Sequence, residues 1–401
     1  MTISCADCGS IQTVPVLPPR GVATCHRCGR VVGRRVPPGF DLSLVCSVAV
    51  FLLLPPAVFL PLMNSTIKHL VYEESRLVSS VPVIYSEVWF PFAFGFLFFA
   101  FLFPALRALF LVIVLGSIRF GWKIWQRGRL FRWSEELQIW SMTDVVVFAG
   151  IVAYYRASVP ADVEVRIGAW TYVAVAILAL LADVLLDRRA VWSAIHPDAA
   201  TPTSTHAASC LSCELVIASR EKGDPCPRCG ARLDLNVARR FAPAVAALAA
   251  AFPLCLPAYT ASVIVNDQLT AVLEHTVLGT VQLMADYGYW QVGVVLLVAG
   301  VAIPTIELLG MGWLLARVRF PSRKGLVLRT RLYRGLRRLV RWPMIIPFIA
   351  AIAAPIVDFR GIDDIVAGPG ATPLFALIAL MMLAVRLFEP RLMWITAGEA
   401  R

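Results

Sequence analysis

The chain has 401 residues, enough for more than one domain, but 59% of them are apolar, only 16% are charged and the mean hydropathy is +0.73, which excludes a soluble globule. A net charge of +11 would suit nucleic acid. The basic residues, however, cluster in short segments beside apolar runs, as cytoplasmic loops do, and no basic reading helix accompanies them, so no nucleic-acid partner is expected. There is no G-x-x-x-x-G-K-[ST], since none of the four lysines follows a glycine, and neither H-E-x-x-H nor G-x-S-x-G occurs. The chain is not expected to be an enzyme.

Residues 1–36 are polar and rich in cysteine, unlike a cleavable signal peptide, so a permanent internal anchor is expected. Two C-x-x-C pairs, Cys5/Cys8 and Cys25/Cys28, are each followed by glycine. The paired C-x-x-C spacing returns mid-chain as Cys210/Cys213 and Cys226/Cys229, the last cysteine again followed by glycine. Four thiolates at this spacing satisfy a closed tetrahedral site, which predicts two zinc ions, one per ribbon. A disulfide or redox use of these thiols is the competing reading; a reducing compartment disfavours it. Cys46 and Cys255 fall inside apolar runs and read as packing residues.

Between the modules, residues 37–196 carry apolar runs near 42–63, 89–118, 139–159 and 168–186, long enough to cross a bilayer. Residues 64–88 read as a polar loop. Residues 119–138, with Arg119, Trp122, Lys123, Trp125 and Trp133, read as a short helix along the headgroups. A Pro/Thr/Ser/Ala linker at 197–207 leads to the second ribbon at 208–236. Residues 237–401 repeat the plan with runs near 241–265, 289–316, 342–357 and 371–388. The segment Arg317–Arg341 holds nine arginines, one lysine and no acid, whereas residues 266–288 hold three acids and no lysine or arginine. This asymmetry places both termini and both ribbons in the cytoplasm.

The halves match position by position. Pro104 corresponds to Pro304, Trp140-x-Met142 to Trp342-x-Met344, and Gly168-Ala169 to Gly370-Ala371. Asp187-x-Arg189-x-x-Trp192 likewise corresponds to Glu389-x-Arg391-x-x-Trp394. The expected fold is therefore an all-α polytopic membrane protein of about eight spans, in two parallel four-helix repeats, each preceded by a zinc ribbon. An apolar cavity between the halves is expected to hold the cargo.

With its doubled cysteine modules, Pro56-Ala57…Leu60-Pro61-x-Met63, Trp140-Ser141-Met142-x-Asp144-Val145 and Glu389-Pro390-Arg391-Leu392-x-Trp394, the sequence resembles the paraquat-inducible protein A family. That family includes the A subunit of the lipophilic envelope-spanning tunnel system. The resemblance implies a multi-pass protein of the bacterial inner membrane that passes phospholipid or similar molecules to or from a periplasmic mammalian-cell-entry (MCE) protein, supporting envelope integrity. There are departures: Val58 stands where the family's first proline motif has asparagine, and the second half reads Trp342-Pro343-Met344 with Ile346 at the acidic position. The alternative reading is a membrane scaffold or signalling protein whose cytoplasmic ribbons dock partners.

Charges inside apolar runs are costly and mark candidate sites. Arg107 and Glu307 each lie three residues after the matched prolines, so they occupy equivalent positions with opposite charge and could meet or line one cavity. Asp144, beside Ser141 and Thr143, is the candidate group that titrates during transport, an N-cap being its simpler role. Asp183 and Arg386 are expected to reach the headgroups.

Overall fold

The computed structural model describes residues 2–34 (except 16, 19 and 20), 40–67, 71–79, 95–158, 162–196, 207–218, 224–233, 239, 241–268, 271–349, 352 and 363–398. The linker at 197–206 and most of the run after 349 lie outside them.

Five described helices are long and apolar enough to cross a membrane: α1 (Asp41–Phe59), α2 (Gly95–Arg119), α5 (Ile167–Leu185), α7 (Phe241–Thr260) and α9 (Trp290–Arg319). At about 1.5 Å per residue, nineteen or more residues approach the ~30 Å hydrocarbon core. Two more are apolar but shorter, α4 (Thr143–Ala157) and α11 (Ala371–Leu387). The remaining helices border them: α3 (Arg127–Leu137), α6 (Arg188–Ile195), α8 (Val277–Asp286), α10 (Leu326–Leu339) and α12 (Arg391–Thr396). Large apolar side chains such as Leu52, Phe59, Trp170, Phe252, Leu256 and Leu309 stand exposed on the long helices, as lipid-facing positions do. The first apolar run extends to Met63, but α1 stops at Phe59 because Leu60 precedes Pro61 and turns extended.

The purely α expectation needs correction: the molecule is mostly helical but not wholly so. The strands β5 (Met63–Ile67), β6 (Val71–Ser75) and β7 (Asp162–Val165) form an antiparallel sheet in the order β6-β5-β7. In the second half β10 (Ile264–Gln268), β11 (Ala271–His275) and β12 (Asp363–Ala367) form another, in the order β11-β10-β12. The stretch expected as a polar loop at 64–88 therefore begins as a hairpin, with 80–88 outside the described residues, and the acidic stretch at 266–288 begins as another; each hairpin is completed by a strand about a hundred residues away, and 277–286 is helical.

Elements recur along the chain. α1 packs along α5 and α2, and α7 packs along α11. Both α2 and α9 contain a π-helical turn, at Phe98–Leu102 and Val298–Ala302, immediately before a helix segment with proline at its start. The reason is local. Proline lacks an N–H and crowds the carbonyl four residues back, so Pro104 and Pro304 leave the Ala100 and Gly300 carbonyls without a helical donor. Tyrosine hydroxyls take their place: Tyr172 on α5 donates to the Ala100 oxygen and Tyr259 on α7 donates to the Gly300 oxygen, each at 2.8 Å. The same requirement is met from two non-equivalent helices. Gly168 and Gly370 are matched for steric reasons too, since a Cβ there would lie 2.6 Å from the Leu60 and Pro61 oxygens and 2.7 Å from the Ala261 oxygen.

Candidate metal centres and buried polar positions

Each ribbon is built from two knuckles carried by short hairpins: β1 (Thr2–Ser4) with β2 (Ile11–Thr13), β3 (Val22–Thr24) with β4 (Val31–Arg34), and β8 (Ala207–Ser209) with β9 (Val216–Ala218). The fourth knuckle closes on the Pro225–Arg232 bridge. In every knuckle the backbone N–H of the residue after the second cysteine donates to the carbonyl of the first, at 2.8–3.1 Å. That residue needs a positive φ, which Gly9, Gly29 and Gly230 supply; in the third knuckle Glu214 adopts φ 60°, alone among described non-glycine residues. All eight thiols are buried. Within each quartet the sulfurs lie within 4.8 Å of one another, and Cys5–Cys28, Cys8–Cys25, Cys210–Cys229 and Cys213–Cys226 are each 3.6 Å apart. A tetrahedron with metal–sulfur bonds of about 2.3 Å has edges of about 3.8 Å, so both quartets fit a tetrahedral metal ion. Four thiolates fill the shell and leave no position for substrate.

The ribbons cross over. The first packs on the second half: Arg334 of α10 donates to the Asp7 carboxylate at 2.7 Å and to the Cys28 carbonyl, Arg391 of α12 donates to the Ala6 carbonyl, and Arg27 lies over the Trp394 ring. The second packs on the first half. Its cysteines share one apolar cluster with Leu111, Leu115, Phe131, Val191 and Trp192, and Arg228 donates to the His196 carbonyl. Gly128 of α3 meets the Arg228 carbonyl so closely that no side chain fits there. The two ribbons also touch each other through Arg30 and Glu214, at 3.4 Å.

Among the membrane residues, the structure pairs Arg107 with Asp183 and not with Glu307. Two guanidinium N–H groups of Arg107 reach the Asp183 carboxylate, one at 3.1 Å, and Gln138 donates to the same carboxylate at 3.2 Å. Asp183 therefore turns inward instead of reaching the headgroups. Its side chain remains on the face of α5 that carries Tyr172, eleven residues or about three turns earlier, and that spacing was the sequence signal for it. Arg386 likewise faces protein, 3.6 Å from Glu136. Glu307 is 1% exposed, and among the described residues neither of its carboxylate oxygens has a hydrogen-bonding partner. Asp144, in the first turn of α4, meets Arg341 at 2.9 Å, an ion pair that joins the two halves. Ser141 and Thr143 beside it are buried. Around this junction Phe96 meets Phe348, Phe148 meets Trp342 and Tyr155 meets Tyr289. Sequence reasoning missed Arg341, Arg334, Tyr172 and Tyr259, whose roles depend on contacts far apart in the chain.

The paraquat-inducible protein A family matches residues 41–196 and 241–397. The intermembrane transport protein PqiA of Escherichia coli K12 is 24% identical over 98% of this chain and 95% of its own length. The lipophilic envelope-spanning tunnel protein A of the same strain is 27% identical over 67% of this chain and 63% of its own, and a probable intermembrane transport protein of Haemophilus influenzae is 23% identical over 98% and 95%. No solved structure matches the chain. With a multi-pass apolar body, two four-cysteine centres and a family match across most of its length, the chain belongs to the paraquat-inducible protein A family.

Proposed function

We propose that the chain is the inner-membrane component of an intermembrane lipid transport system, passing phospholipid or a similar apolar molecule to or from a periplasmic MCE-domain protein. The observation that carries this is the likeness over nearly the whole chain to proteins named for intermembrane transport. In this reading the protein is a tandem duplication with eight spans. Residues 37–196 and 237–401 are the membrane halves, and the ribbons at 1–36 and 208–236 each hold one zinc ion. The two matched segments, the two sheets of equivalent strand order and the paired π-turns support the duplication. Both ribbons and the arginine-rich α3 and α10 pack at one end of the spans, which supports a cytoplasmic location for that end. The cargo pathway runs where the halves meet, with Arg107, Glu307, Asp144, Ser141 and Thr143 as its polar groups; the chain itself does no covalent chemistry.

The scaffold alternative, in which the ribbons dock cytoplasmic partners, is disfavoured by how the ribbons are used, since their knuckle carbonyls and Asp7 are already bound to α10 and α12. The test is mass spectrometry of small molecules retained by the detergent-purified protein, alone and with its MCE partner, alongside envelope integrity in a deletion strain. Retained phospholipid and a leaky envelope are expected. Absence of any apolar molecule, with envelope integrity lost only on cysteine replacement, would move the reading to a scaffold.

A further inference from the structure

Both halves and both ribbons contribute to the wall of one cavity of about 700 Å³ at the ribbon end of the spans. It is polar: eight arginines and six carboxylates line it. What it can hold follows from which of these charges are already engaged. Glu135 faces Arg188 at 3.0 Å, and Glu136 lies between Arg132 and Arg386 at 3.8 and 3.6 Å. Asp7 sits between Arg30 and Arg334 at 2.6 and 2.7 Å, and Glu214 is 3.4 Å from Arg30. Glu389 is 3.9 Å from Arg391, and Asp187 accepts the Ala190 N–H as a helix cap. Every carboxylate of the wall is therefore committed. Two of the arginines are not: Arg34 at the end of β4 and Arg337 on α10 are exposed, and no described carboxylate lies within ion-pair distance of either.

We propose that this chamber is an anion site for a phosphate group, with Arg34 and Arg337 as the uncommitted donors. A guanidinium presents two parallel N–H groups that match phosphate oxygens, and such charge-assisted pairs are about twice as strong as neutral hydrogen bonds. The wall's surplus of two positive charges suits a phosphate monoester or diester and leaves a neutral guest facing unpaired guanidinium groups. The volume is that of a small-ligand site, within the usual range of about 300–1,000 Å³. Two sources offer this chemistry, the headgroup of an anionic phospholipid and a soluble phosphate. The inference rests on the charge of the wall and stands whether or not the chain moves lipid between membranes.

The test is calorimetric titration of the full-length protein in non-ionic detergent with two probes, dihexanoyl phosphatidylglycerol and inorganic phosphate. Saturable binding is expected for the lipid, for phosphate or for both. The paired variant Arg34→Gln/Arg337→Gln weakens it by about tenfold or more, the loss expected when charge-assisted contacts to phosphate go. Arg34→Lys/Arg337→Lys recovers part of it, and Arg319→Gln, outside the wall, leaves it unchanged. If phosphate displaces the lipid, the phosphate group alone is recognised; if it does not, the glycerol headgroup is recognised as well. Binding of the wild type also weakens as salt is added, a readout that needs no variant. Failure of both probes to saturate, or equal binding by the wild type and the glutamine variant, overturns the proposal.

Discussion

Replacing Asp183 by asparagine removes the charge that Arg107 faces while keeping the shape of the side chain. Arg107 has 7% of its side chain exposed and Asp183 has 22%, so the pair is mostly withdrawn from solvent but open on the carboxylate side. Breaking one side of a buried ion pair costs about 3–5 kcal/mol, because the other charge is left without compensation. The partial exposure of Asp183 puts the expected loss near the lower figure, about 3 kcal/mol. Unfolding entropy grows with chain length, so in a chain this long each kcal/mol moves Tm by about 1–2 °C, and the expected drop is about 3–6 °C. Tryptophan fluorescence during a thermal ramp in detergent reads it. The control replaces both partners. Arg107→Met/Asp183→Leu leaves no stranded charge and should melt within about 2 °C of the wild type. If the single and double variants fall together, or if Asp183→Asn melts like the wild type, Arg107 is not held by this carboxylate and the argument fails.

Tyr172→Phe and Tyr259→Phe each strand a carbonyl that proline has left without its helical donor, so each should cost about 1–2 kcal/mol, and the two losses should add in a thermal ramp. The purified protein should contain two zinc ions per chain by elemental analysis; chelation should expose 2–34 and 207–233 to protease while the spans stay resistant. Glu135 lies outside the spans, and burial pushes its carboxyl above the usual range despite the opposing pull of Arg188 and Arg107. A carboxyl whose folded pKa is raised contributes stability that is fully present below its free value of about 4.3 and is lost as pH rises through the folded value. The Tm of Glu135→Gln should therefore gain on that of the wild type as pH is raised across that window, and parallel pH profiles would contradict it.

The cysteine quartets were legible because their chemistry is local: with two residues between them, the thiols of a C-x-x-C pair can share one metal ion. The long spans were legible from apolar run length alone. The sheets were not. Asp162-Val163-Glu164-Val165 alternates as a strand should, but its partner β5 lies about a hundred residues earlier and nothing local announces the pairing. The charged positions were half legible. Arg107, Asp144 and Glu307 stood out by their cost in an apolar run, yet their partners, Asp183 and Arg341, depend on how helices rotate against each other. The equivalence of Arg107 and Glu307 invited a pairing across the halves; a carboxylate on the neighbouring α5, in reach of Arg107 within the same half, replaced it.

The exchange of ribbons has a consequence for how this chain can be divided. Residues 1–196 expressed alone would carry a metal knot whose seat, Arg334, Arg391 and Trp394, lies on the missing piece. The complementary fragment would lack the Leu115, Phe131 and Trp192 bed beneath its own. Neither fragment should stand alone, although each carries one cysteine quartet and its own apolar helices. Co-expressed, the two should find each other by trading clasps.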